Sequence, residues 1–148
     1  ELRPLMSDWV FGCDICQDVC PVNVSSMYSR EQAFQKKRFT TLALLDILSL
    51  TEDEFRRRFS KSPISRAKLW GLKRNACVAL GNAGDRRAVP ALAGALRCET
   101  PLVRGHAAWA LGRLGGGQAL TALKGAMTLE RDEGVRWEVS AALESFAR

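Results

Sequence analysis

From Arg66 onward the chain repeats itself with a period of 31 residues, and this period constrains the fold more than any other feature. The shift lays Leu72, Lys73, Ala76, Ala79, Leu80, Gly81 and Gly84 over Val103, Arg104, Ala107, Ala110, Leu111, Gly112 and Gly115. It also lays Ala88, Val89, Leu92, Ala95 and Leu96 over Ala119, Leu120, Leu123, Ala126 and Met127. A third copy of the first segment, offset by one extra residue, puts Val135, Arg136, Val139, Ala142 and Leu143 in the same roles. Apolar residues step by three and four, as in Leu69, Leu72, Ala76, Leu80 and Ala83, which marks one face of an α-helix. Gly84 and Gly115 stand where a helix C-terminus favours a left-handed residue, and Pro90 and Pro101 fall near helix starts. Each repeat is therefore a helix pair. A unit this small cannot bury its own apolar face, so neighbours must stack into an α-solenoid with one continuous core. The third copy lacks the glycines and closes the stack as a terminal cap.

The segment before the repeats is also helical. Leu42, Leu45, Leu48 and Leu50 predict a short buried helix, and Thr51 with Glu54 forms a capping box that starts another carrying Phe55 and Phe59. Residues 60–65, with Pro63, break that helix. An apolar content of 47% is enough for a core. The apolar run 42–50 contains Asp46 and is too short to span a bilayer, so nothing argues for a membrane. The fold class is all-α in the main.

Near the start, Cys13, Cys16 and Cys20, followed by Pro21, form a C-x2-C-x3-C-P run. Five cysteines is an odd number, and three of them in metal-ligand spacing fit a disulfide framework poorly and a reducing compartment better. The spacing matches the last three positions of the bacterial ferredoxin run, whose fourth cysteine serves a different cluster from the others. Cys13 and Cys16 are then expected on one cluster and Cys20 on a second. Val10 stands where the first cysteine would be, so the remaining ligands are expected before Glu1. The absence of an initiator Met and the apolar opening (Leu2, Leu5, Trp9, Val10, Phe11) point the same way, to the C-terminal part of a longer protein. Two alternatives stand beside this reading: ordinary buried thiols, and a zinc site, which needs a fourth ligand when the only histidine, His106, lies far along the chain. Cys77 and Cys98 read as apolar fillers of repeat helices.

The net charge of +6 suits a polyanionic partner. Between Arg56 and Arg87 there are ten basic residues and one acid, Asp85. Lys73, Arg104 and Arg136 share one repeat position, so on stacked helices they line up as a row able to track a phosphate backbone. Arg66, Lys68 and Arg74 add to it at the first repeat. The competing explanations are a solvated face and pairing of the recurrent cation with acids, for which Asp85 and Glu138 are the candidates.

ELRPLMSDWVFGCDICQDVCPVN, then LTEDEF, then SPISRAKLWGLKRNACVALGN leading into short repeats of HEAT-like type, resembles the C-terminal part of the epoxyqueuosine reductase family. The resemblance implies the remnant of a two-cluster ferredoxin-like module over 1–29, a helical connector over 30–65 and a HEAT-like α-solenoid over 66–148. It implies two [4Fe-4S] clusters ligated in part by Cys13, Cys16 and Cys20, and a cobalamin bound by an N-terminal domain outside this chain. It further implies reduction of epoxyqueuosine to queuosine in a tRNA anticodon, in a cytoplasmic monomer served by an electron donor protein or reductant. Arg66, Lys68, Lys73, Arg74, Arg104 and Arg136 are the tRNA-binding candidates, and no catalytic residue falls in this segment. Val22 stands where the family commonly has Trp. The runner-up is a HEAT-repeat interaction scaffold with a ferredoxin-like appendage. Another cobalamin-and-ferredoxin reductase, such as a reductive dehalogenase, would explain the cysteines but not the repeats.

Overall fold

The structure, a computed structural model, describes residues 2–25 and 44–147. Among them there are helices and no strand. A 3-10 turn at Arg3–Met6 precedes a one-turn helix α1 (Ile15–Asp18); then come α2 (Leu44–Ser49), α3 (Glu52–Phe59), α4 (Lys68–Ala83), α5 (Val89–Ala95), α6 (Pro101–Leu114), α7 (Gly117–Leu129) and α8 (Glu133–Glu144). Helices α4, α6 and α8 are the repeated first helices and stack in order, while α5 and α7 form the second layer, with α2 packed against α4 and α5.

Local signals place the boundaries. Thr51 caps α3: its Oγ1 accepts from the Glu54 N–H at 3.3 Å, and the Glu54 carboxylate accepts from the Thr51 N–H at 2.9 Å. Pro63 opens a 3-10 turn, Pro63–Ala67, where the helix was expected to break. Gly84 ends α4 in the left-handed region at φ 72°, and Pro90 and Pro101 lie in the first turns of α5 and α6.

The buried residues form two clusters. One runs through the repeats, from Cys77 and Leu80 through Leu92, Val103 and Leu111 to Leu123 and Val139. The other gathers Ile47, Leu50, Phe55 and Phe59 against Leu72 and Ala76 of α4, so the segment before the repeats shares the first repeat helix's core. The expected leucine face of α2 is corrected here. Leu50 is buried, but Ile47 is the other fully buried residue, Leu48 is half-buried and Leu45 is exposed. Leu42 lies outside the described residues.

The glycines of the Ala-Leu-Gly pattern have a packing role. A Cβ on Gly81 would lie 2.8 Å from Trp109 Cζ3 and 3.0 Å from the Ala110 Cα; one on Gly112 would lie 2.9 Å from the Ala142 Cβ and 3.0 Å from its Cα. Gly81 and Gly112 are repeat mates, so one device sets both the α4–α6 and the α6–α8 approach.

Residues 3–10 lie as a strap across α4, α6 and α8. Asn82 Nδ2 donates to the carbonyls of Arg3 (2.9 Å) and Ser7 (2.8 Å), and Asn75 Nδ2 donates to that of Val10 (2.7 Å). Arg3 pairs with Glu138 at 2.9 Å, and its guanidinium lies 5.0 Å from the Trp109 ring, which Arg113 also approaches, at 5.3 Å. His106 belongs to the same face. Its Nδ1 lies 2.8 Å from the Leu102 carbonyl oxygen, and burial, then the charges of Arg3 and Arg74, hold its pKa below the usual histidine value. Asn82→Ala removes two of the strap's hydrogen bonds, each worth about 1 kcal/mol. The expected outcome is faster amide exchange over 3–10 in hydrogen–deuterium exchange, with protection of α6 and α8 kept; unchanged exchange over 3–10 contradicts the strap.

Candidate functional site

The strap delivers the chain directly to the cysteines. Gly12, at φ 75°, turns it ahead of Cys13, and Asp14 starts α1: its carbonyl accepts from the Gln17 and Asp18 amides at 2.8 and 2.9 Å, and its side chain accepts from Gln17 Nε2 at 3.2 Å. Cys16 therefore sits on a single helical turn. Cys20 follows it, donating its N–H to the Gln17 carbonyl at 3.2 Å, and its own carbonyl accepts from the Asn23 amide at 2.9 Å, which turns the chain after Pro21. Cys13 and Cys16 are exposed, Cys20 is half-buried, and all three are free.

Three accessible thiols are soft donors of the kind iron–sulfur clusters take. Among the described residues no three His, Cys, Asp or Glu side chains converge on a point that one metal ion could occupy. The cysteines therefore fit such a cluster only as part of a ligand set, with further donors supplied from beyond the described residues. Around them the surface is unusually apolar. Leu2, Leu5, Val19, Val22 and Val24 are 72–81% exposed, with Trp9, Phe11 and Ile15 also uncovered. So many large apolar side chains left exposed within one short segment mark a contact face.

Cys77 differs from these three. It is fully buried in the repeat core, and burial pushes its thiol up to about 12, so it is inert filler. Cys98 is half-buried against the same core.

The recurrent cation has a use that its spacing did not reveal. Arg104 forms a bidentate pair with Glu130, Nε to Oε2 at 2.6 Å and Nη2 to Oε1 at 2.8 Å, while Nη1 donates to the carbonyls of Cys98 and Glu99 just after α5. Arg136 Nη1 donates to the carbonyls of Met127 and Glu130 at the end of α7. Both arginines thus satisfy carbonyls left over at the end of the preceding helix. Arg86 does likewise for α6, donating from Nε to the Leu114 carbonyl at 3.1 Å. The acids expected as partners are corrected: Asp85 pairs with Arg87, Glu138 pairs with Arg3, and the partner of Arg104 is Glu130. Arg104 holds the Glu130 carboxyl at about 2, well under the carboxylate range.

The other cations are disposed differently. Arg66 and Lys68 are exposed at the start of α4, as is the run Arg56–Arg57–Arg58 with Lys61 on and after α3. Lys73 and Arg74 are half-buried. Among the described residues no helix is long and apolar enough to cross a membrane.

A family model for HEAT repeats matches residues 64–144. An epoxyqueuosine reductase of Leadbetterella byssophila is 42% identical over 76 residues, covering 51% of this chain and 24% of that protein. One from Bacillus cereus is 32% identical over 150 residues, covering 100% of this chain and 40% of its own length. A crystal structure of epoxyqueuosine reductase with an epoxyqueuosine-modified tRNA-Tyr stem loop superposes with a TM-score of 0.90 at 28% identity, over 99% of this chain and 40% of that one. The chain thus spans between a quarter and two fifths of the length of these relatives. With the repeat model covering more than half of it and these reductases matching it in sequence and fold, the chain belongs to the HEAT-repeat family and represents a region shared with the epoxyqueuosine reductases.

Proposed function

We propose that this chain is the region of an epoxyqueuosine reductase that supplies ligands to two [4Fe-4S] clusters and presents a basic repeat surface to tRNA. The observation that carries the reading is the match along 99% of the chain to a reductase solved with a modified tRNA stem loop. Support from this chain's own residues is the accessible Cys13–Cys20 segment fixed to the repeats by the strap. Cys13 and Cys16 would hold one cluster and Cys20 the other, and the clusters, when bound, supply one-electron transfer. Cobalamin would be held by the N-terminal domain of the reductase, outside this chain. The exposed apolar surface around the cysteines packs against the rest of the reductase, in a cytoplasmic setting where the thiols stay reduced.

For tRNA, Arg104 is the weakest of the six candidates, since Glu130 already neutralises its charge. Arg66 and Lys68 are exposed and available for phosphates, Arg136 is exposed with one guanidinium nitrogen already engaged, and Lys73 and Arg74 are half-buried.

A chimera tests the cluster assignment. This chain replaces the corresponding region of the Bacillus cereus enzyme, and iron, sulfide and paramagnetic resonance signals are measured. Cys13→Ser and Cys16→Ser each remove the signal of one cluster, and Cys20→Ser removes that of the other. Unchanged iron and sulfide in all three variants contradicts the assignment. The scaffold alternative has no specific observation in its favour.

A further inference from the structure

Repeat symmetry gives Lys73, Arg104 and Arg136 one position, but only the two arginines are used by the fold. Each reaches carbonyls at the end of the second-layer helix before it. For Lys73 that helix is α2, whose Leu48 and Ser49 line a groove with it. Lys73 nevertheless makes no ion pair or hydrogen bond with any described residue. Ser49 is occupied elsewhere, its Oγ donating to the Asp46 carbonyl at 2.9 Å. Lys73 is thus a half-buried cation whose counterparts are satisfied and which is not.

The groove explains what such a cation can meet. It holds about 330 Å³ between α2 and α5, and its wall carries a second cation, the exposed Arg97, and no acid among the described residues. At Gly94 it is open, for a Cβ there would meet nothing within 4 Å. The neighbouring groove between α5 and α7, about 780 Å³, shares Arg97 and carries two acids, Glu99 and Glu130, against its three arginines, Arg97, Arg104 and Arg131. Repeat-equivalent grooves therefore differ in counter-charge: the one at Lys73 has two cations and, among the described residues, no acid, where its neighbour has two.

We propose that the groove formed by Lys73, Arg97 and the open surface at Gly94 is an anion site for a phosphate group, either free or esterified in RNA. Two cations lining one groove without a described acid favour a multiply charged tetrahedral oxyanion, which charge-assisted hydrogen bonds from an ammonium and a guanidinium would fix. The site does not depend on the reductase reading, since free phosphate alone would satisfy it.

The test uses the whole chain, labelled with nitrogen-15, titrated with inorganic phosphate and, separately, with an anticodon stem-loop RNA. Either probe is expected to shift the amides of Ser49, Gly94 and Ala95 saturably. Lys73→Met should weaken the response at least tenfold, and Gly94→Leu should block it with every charge intact. Lys73→Arg should also weaken it, because arginine there can reach the α2 carbonyls as Arg104 and Arg136 reach theirs. If only phosphate binds, the site holds and its ligand is a free anion; if the stem loop shifts these amides at much lower concentration, the phosphate belongs to RNA. Linear, unsaturable shifts with both probes, or an undiminished response in Lys73→Met and Gly94→Leu, overturn the proposal.

Discussion

Gly81→Ala and Gly112→Ala each destabilise the repeats, by about 1–3 kcal/mol, although alanine is the better helix former by about 1 kcal/mol. The methyl has no room. At Gly112 it meets the Cα and Cβ of Ala142, and at Gly81 it meets the Trp109 ring and the Ala110 backbone, so α8 or α6 must move as a body. Moving a packed helix opens voids along the whole stack, because interiors are packed as densely as crystals. Gly94→Ala and Gly125→Ala are the matched controls. Their Cβ atoms meet nothing within 4 Å, so propensity acts alone and both raise the melting temperature. Thermal melts of the four variants should split into two falls and two rises; four changes of one sign contradict a packing role for Gly81 and Gly112.

Glu130→Ala is expected to cost about 1.5–3 kcal/mol, as loss of a charge-assisted hydrogen-bond partner in a half-buried pair does, lowering the melting temperature by roughly 3–10 °C. Glu130 is a junction. Its carboxylate takes the Arg104 guanidinium and also accepts the backbone N–H groups of Arg131 and Asp132 ahead of α8, and its side chain is only 8% exposed. Without it Arg104 keeps its charge and loses its counter-charge. Replacing both partners, Arg104→Met with Glu130→Leu, should recover most of the loss, since an apolar pair avoids the desolvation cost.

The same pair sets an acid limit. The folded pKa of Glu130, about 2, lies below its ordinary 4.5, so its contribution is complete above about pH 4.5 and disappears as pH falls toward 2. His106 acts in the same direction at milder acidity. Its folded pKa is lowered, so below about 6.5 the unfolded chain binds the proton more readily and stability declines. Glu130→Gln should shrink the lower of the two declines, to which Glu54 and Asp85 also contribute, and leave the upper one.

How far the sequence foretold this depends on the range of each interaction. Helix pairs, caps and breaks were legible because the 31-residue period and the signals at Thr51, Pro63, Gly84, Pro90 and Pro101 are local. The role of Gly81 and Gly112 was visible only as a recurring letter, since the obstacle to a side chain lies on the next helix. The partner of Arg104 was misassigned because Glu130 stands 26 residues on, past the end of the second helix of the pair, and nothing local distinguishes it from Asp85 or Glu138. The strap left little trace, for Asn75 and Asn82 grip main-chain carbonyls that any sequence would offer. Part of the stretch between the cysteines and α2 lies outside the described residues, and the helix expected there is seen from Leu44 onward.

The sharpest trial of tRNA recognition by these repeats is equilibrium binding of an epoxyqueuosine-modified tRNA stem loop, followed by anisotropy at roughly 50 to 200 mM salt. Saturable binding that weakens as salt rises is expected. Arg66→Glu plus Lys68→Glu should lower affinity at every salt and flatten the log–log slope by about one for each phosphate no longer neutralised. Binding by wild type that the double reversal leaves unchanged in affinity and slope, or no binding at all, contradicts a basic repeat surface that holds tRNA.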